Sequence, residues 1–86
     1  MPRISLFYGI AIYMYYSDHA PPHFHAIYGE QEAVIEIETG FVRQGKLPRR
    51  ALSLVSDWLK SNRDVLQRNW SLARAGQPLV VIPPLE

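Results

Sequence analysis

The spacing of apolar residues changes period at Leu47-Pro48, and this change limits the possible folds more than any other feature of the chain. Before it, side chains alternate. Ile10, Ile12 and Met14 fall on one side of an extended segment and Ala11, Tyr13 and Tyr15 on the other, as the two-residue period of a strand requires. Residues 4–16 are rich in β-branched and aromatic types that suit a pleated, half-buried surface, and Gly9 divides the run as a bulge or a tight bend. Residues 17–22 read as a loop, because Pro21 and Pro22 each hold the preceding residue in extended geometry. Strands follow over residues 23–28, 32–38 and around 41–43, with turns at Gly29-Glu30 and Thr39-Gly40.

Beyond Pro48, a residue suited to the first helical position, the period becomes helical. Ala51, Leu52, Val55, Trp58 and Leu59 form an apolar stripe that continues in phase through Leu66, Trp70 and Ala73. Ser61-Asn62-Arg63-Asp64 has the form of a helix-start signal, so the reading is two consecutive helices with a bend near residue 62, ending at Gly76. Gln77-Pro78 stops the helix, and residues 79–82 can return as an extended edge segment. The expected class is α+β: a small antiparallel meander of about four strands packed against two consecutive C-terminal helices.

Eighty-six residues, 48% of them apolar, support a single folded domain over 1–86. A chain this short buries a modest core, which makes a homodimer or a partner protein a reasonable expectation. The absence of cysteine excludes disulfides and thiolate chemistry. Nine Lys/Arg against eight Asp/Glu give a formal charge of +1, so no global field draws the chain to nucleic acid. No stretch approaches the ~18 apolar residues of a membrane span, and the N-terminus does not have the form of a secretory signal. A cytoplasmic protein without membrane contact is expected. No glycine-rich phosphate loop, Ser/His/Asp set or dinucleotide fingerprint is present.

All three histidines, His19, His23 and His25, lie in the string Asp18-His19-Ala20-Pro21-Pro22-His23-Phe24-His25. On a strand, His23 and His25 share a face and Phe24 takes the other. Asp18 and His19 sit in the loop that feeds this strand and can fold over the pair. Two chemistries suit the arrangement. In one, His23 and His25 are general acid and base and Asp18 orients an imidazole. In the other, His19, His23 and His25 ligate a divalent metal such as zinc. The plain alternative is ordinary hydrogen bonding of half-exposed strand residues.

A second cluster, Arg43, Lys46, Arg49 and Arg50, surrounds the start of the helical half. Either carboxylates such as Glu36 and Glu38 neutralise it, or it holds a phosphate, including that of an RNA or DNA backbone. Trp58 and Trp70 lie on the apolar stripe and read as core. Tyr13, Tyr15, Tyr16 and Tyr28 offer aromatic surface to a partner.

The strings Asp18-His19-x-Pro-Pro-His23-x-His25, Leu47-Pro48-Arg49-Arg50-Ala51-Leu52 and Asn69-Trp70 resemble a family of small prokaryotic proteins, domain-of-unknown-function family 4160. The resemblance covers nearly the whole chain. Members often neighbour another small gene of unknown function, family 2442, so the resemblance implies a toxin–antitoxin-like pair. The expectation is therefore a component that binds a small partner protein from a neighbouring gene, and that binds or cleaves RNA at its histidines. The alternatives are a divalent-metal-binding module and a non-catalytic interaction domain.

Overall fold

A computed structural model describes residues 2–16 and 18–86; Ser17, part of the expected loop, lies outside the described residues. The element order is β1 (Arg3–Phe7), β2 (Ile10–Tyr13), β3 (His23–Tyr28), β4 (Gln31–Glu36), β5 (Val42–Gly45) and α1 (Arg49–Arg74). Each strand pairs antiparallel with the next, giving one meander in the order β1-β2-β3-β4-β5. Among the described residues, no helix is long and apolar enough to cross a membrane.

The sheet has five strands rather than four, because the first apolar run is itself a hairpin. Phe7 pairs with Ile10, so Tyr8 and Gly9 alone make the turn. Both have positive φ, 50° and 80°, the condition for the two-residue turn that matches the twist of the flanking strands. Of the two options that Gly9 left open, the tight bend is the one adopted.

The helical half is likewise one helix, not two. The bend expected near residue 62 is present: Asn62 has non-helical angles (φ −128°, ψ 17°) and kinks the helix, which continues to Arg74 beyond it. Its side-chain amide donates to the Trp58 carbonyl one turn back at 2.8 Å, holding the chain across the irregularity. Val55, Trp58 and Leu59 before the kink and Leu66, Trp70 and Ala73 after it are all buried. Continuity of this seam against the sheet overrides the local start signal. The C-terminus closes with Gln77 N–H on the Leu72 carbonyl and Gly76 N–H on the Ala73 carbonyl, the paired bonds of a Schellman motif.

The core lies between the helix and one face of the sheet. Ile10, Ile12, Met14, Phe24, Ala26, Ala33, Ile35 and Ile37 are buried there, in strict alternation with more exposed neighbours. Trp58 is central: its ring centroid lies 5.3 Å from that of Phe7 and 5.8 Å from that of Phe24.

The 79–82 segment is held against β1. Asn69, fully buried, donates to the Val80 carbonyl and accepts from the Val80 N–H, both at 2.8 Å. Ile82 N–H then donates to the Ile4 carbonyl at 2.8 Å, and Trp58 Nε1 donates to the Pro83 carbonyl at 3.0 Å. The tail thus covers the β1 edge. At the other edge all four residues of β5 are exposed.

Replacing Asn69 by alanine removes both bonds to Val80 and leaves a void at the helix–tail contact. The expected cost is about 1–3 kcal/mol, read as a lower urea midpoint. A midpoint unchanged from that of the native chain would mean that Asn69 does not hold the tail.

Candidate functional site

Strand alternation sets the site. Phe24 and Ala26 point into the core, so His23 and His25 stand on the opposite face of β3 with ring centroids 5.5 Å apart. The loop before β3 brings Asp18 over them. Asp18 Oδ2 lies 2.8 Å from His23 Nε2 and 3.4 Å from His25 Nε2, so one carboxylate oxygen is shared by both rings. Asp18 Oδ1 accepts the backbone N–H of His19 at 2.9 Å.

The remaining ring nitrogens are engaged as well. His23 Nδ1 donates to the Pro21 carbonyl at 2.8 Å. His25 Nδ1 lies 2.9 Å from Glu32 Oε2 on β4. Register explains the second contact: Ile27 pairs with Glu32 and His25 with Val34, which places Glu32 diagonally across from His25 on the same face. Gly45 in turn fits closely behind Glu32, where a Cβ would run into the Glu32 carbonyl, and that carbonyl accepts the Lys46 N–H at 3.1 Å. The β4–β5 contact therefore steadies the strand that carries Glu32.

Aromatic rings enclose the imidazoles. Tyr15 lies against His25 with centroids 4.3 Å apart, and Trp70 of α1 against His23 at 5.1 Å. His23 is buried, while His25 and Asp18 are half-buried. Burial pushes the Asp18 carboxyl up, but the His19 N–H and the His23 and His25 imidazoles outweigh it and hold Asp18 below the usual carboxylate range. Burial first, then the charges of Glu32, Tyr13 and Asp18, push the Tyr15 phenol up.

The catalytic trio expected from the sequence, Asp18, His23 and His25, is brought together. Of the expected metal ligands, His23 and His25 converge, but the third member of the group is Asp18 rather than His19. One ligand atom from each of Asp18, His23 and His25 lies within 4.8 Å of the others, the group among the described residues that could hold a metal ion. His19 is exposed, and its backbone rather than its ring contacts the cluster. It does line the adjoining cavity of about 280 Å³, together with Asp18, Ala20, His23, His25, Val34, Arg43 and Gln44.

The basic cluster divides. Arg43 Nε pairs with Glu36 Oε2 at 3.2 Å, and Arg43 borders the histidine cavity. Arg50 borders a different cavity, of about 240 Å³, with Tyr8, Ile10, Tyr28, Pro48, Ala51 and Leu54. Lys46 and Arg49 are exposed. Sequence reasoning missed the role of Glu32. The signal was available in the two-residue Gly29-Glu30 turn, which fixes the β3–β4 register and with it the residue diagonal to His25.

No curated protein and no solved structure matches the chain. The sequence pattern of the family described as Domain of unknown function (DUF4160) matches residues 9–71, a span holding the loop, the imidazoles, Glu32, Arg43 and all but the last turn of the helix. The chain belongs to that DUF4160 family.

Proposed function

We propose that the protein is a divalent-metal-binding module whose ligands are Asp18 Oδ2, His23 Nε2 and His25 Nε2. One observation carries this reading: both Nδ1 atoms already face an oxygen acceptor, while both Nε2 atoms converge on one carboxylate oxygen. A neutral imidazole has one N–H and one lone pair. When the N–H of a neutral ring is spent on Pro21 or Glu32, its Nε2 lone pair is left for a cation, whose bonds to Nε2 and Oδ2 would take the place of the imidazole–Asp18 contacts. An oxygen acceptor on the outer ring nitrogen is the usual support of a metal-bound histidine. Ligands about 2.0–2.1 Å from a tetrahedral zinc lie roughly 3.4 Å from one another; the Asp18–His25 contact already has that length, 3.4 Å, whereas the Asp18–His23 contact, 2.8 Å, must open to admit the ion.

Three protein ligands leave at least one coordination position for water or substrate, the pattern of a reactive rather than a purely structural zinc site. Imidazole with carboxylate also accepts manganese, iron, cobalt or nickel. A metal-free acid–base role for the same three residues is the competing outcome.

A second observation favours association. β5 is an exposed edge, and Phe41 just before it is 69% exposed. We infer that this edge pairs with a partner strand, from the small protein of a paired, toxin–antitoxin-like system or from a second copy of the chain. The 79–82 segment, bonded to β1 through Ile82 although Val81 is 74% exposed, is the less favoured surface for that role.

Zinc added at a hundredfold excess over its Kd should stabilise the fold by about 2.7 kcal/mol, on the order of 10–20 °C in Tm for a domain of this size. His23→Ala with His25→Ala, and separately Asp18→Asn, should abolish the rise, whereas His19→Ala should leave it intact. Glu32→Gln should weaken metal binding by roughly 10–100-fold. No rise with zinc, manganese, cobalt or nickel, or a rise that survives loss of both imidazoles, would overturn the metal reading.

For association, the measurements are light scattering at high concentration and co-purification with any small protein encoded beside it. At least one should give a complex, and Phe41→Lys with Val42→Lys should disperse it. A monomer in both settings would count against the edge as an interface.

A further inference from the structure

The cavity beside the histidines has a lining that says more about its ligand than the metal ligands do. Its polar contributors are Asp18, His19, His23, His25, Arg43 and Gln44, so among the described residues Asp18 is its one carboxylate. That carboxylate is taken up by the two imidazoles and the His19 N–H. The other two carboxylates nearby are also engaged: Glu32 with His25, and Glu36 with Arg43 and the Thr39 hydroxyl. What remains to meet a ligand is donor-rich: a guanidinium, a carboxamide and an exposed imidazole.

Arg43 is placed by its neighbours rather than left to wave in solvent. Glu36 lies opposite His23 in the β3–β4 register, and Thr39 Oγ1 donates to Glu36 Oε1 at 2.9 Å. The Glu36–Arg43 contact uses the guanidinium Nε. The two terminal Nη groups make no hydrogen bond or ion pair among the described residues. A guanidinium held in this way presents a planar pair of donors, the geometry that matches two oxygens of a tetrahedral oxyanion.

We infer that the site binds a phosphate group, with one phosphate oxygen on the open position of the metal and others on the Arg43 guanidinium. The inference rests on the metal reading, because Arg43 alone, exposed and half-neutralised by Glu36, is too weak a holder. A divalent ion beside a fixed guanidinium is a common solution for phosphate esters, where metal and arginine divide the negative charge between them. The shared chemistry is the phosphate group. Its source is either a small phosphate ester or the backbone of RNA.

The test uses the intact protein loaded with manganese and inorganic phosphate as the probe. Metal uptake is measured first by calorimetry, then phosphate binding by calorimetry and by broadening of the ³¹P resonance. Phosphate should bind only the loaded protein, and the broadening should place it within contact of the metal. Arg43→Gln should weaken phosphate at least tenfold and leave metal affinity within twofold, while Arg43→Lys should recover part of the loss. Arg43 is exposed on an edge strand, so neither variant threatens the fold. Repeating the titration with a mononucleotide and with a short oligoribonucleotide at fixed salt separates the sources. Tenfold tighter binding of the oligomer assigns the phosphate to RNA, and equal binding assigns it to a small ester. Absence of metal uptake would sink both readings. Metal uptake without phosphate binding, or phosphate binding indifferent to Arg43→Gln, would overturn this inference and leave the metal centre standing.

Discussion

The seating of Trp58 is the contact on which the remaining geometry depends. Its ring meets Phe7 of β1 and Phe24 of β3, and its indole N–H ties down the Pro83 carbonyl. One side chain thereby joins helix, sheet and tail. Because Phe24 must face Trp58, the residues on either side of it must face away. The outward placement of His23 and His25 follows from the demand of the core, not from any preference of imidazole for the surface. A one-residue slip of β3 would exchange the two sets, burying both imidazoles in the core and exposing Phe24, so the same packing that stabilises the fold also fixes the site.

Much of this was legible from residue order alone. The two-residue period placed the imidazoles on one face, and the helical stripe identified Trp58, Leu66 and Trp70 as core. Where the reading failed, a long-range term had outweighed a local one. The Ser61–Asp64 signal is a real local preference, yet one continuous buried seam keeps the helix intact and reduces the signal to a kink at Asn62. The extra strand came from the reverse situation. Tyrosine is an unusual residue at positive φ, so composition gave little warning that Tyr8 and Gly9 would make the whole turn.

The site shows the same division. Asp18 could be placed near the imidazoles because it is a few residues away along the chain. Glu32 could not be chosen from among four nearby glutamates without the register. The basic residues near the helix start depend on tertiary structure in the same way: Arg43 leaves the chain on a strand and Arg50 on a helix, and the two border separate hollows.

The docked tail makes the sheet one-sided. With β1 bonded to the 79–82 segment through Ile82, β5 is the outer strand of the sheet whose residues are all exposed. If two copies met edge to edge there, the twofold axis would turn both docked tails outward, where the Val80 and Ile82 backbone groups are already spent on Asn69 and Ile4. The Asn69 clasp on Val80 therefore works against chain growth on that side: it occupies the backbone donor and acceptor that an incoming strand would need at this position.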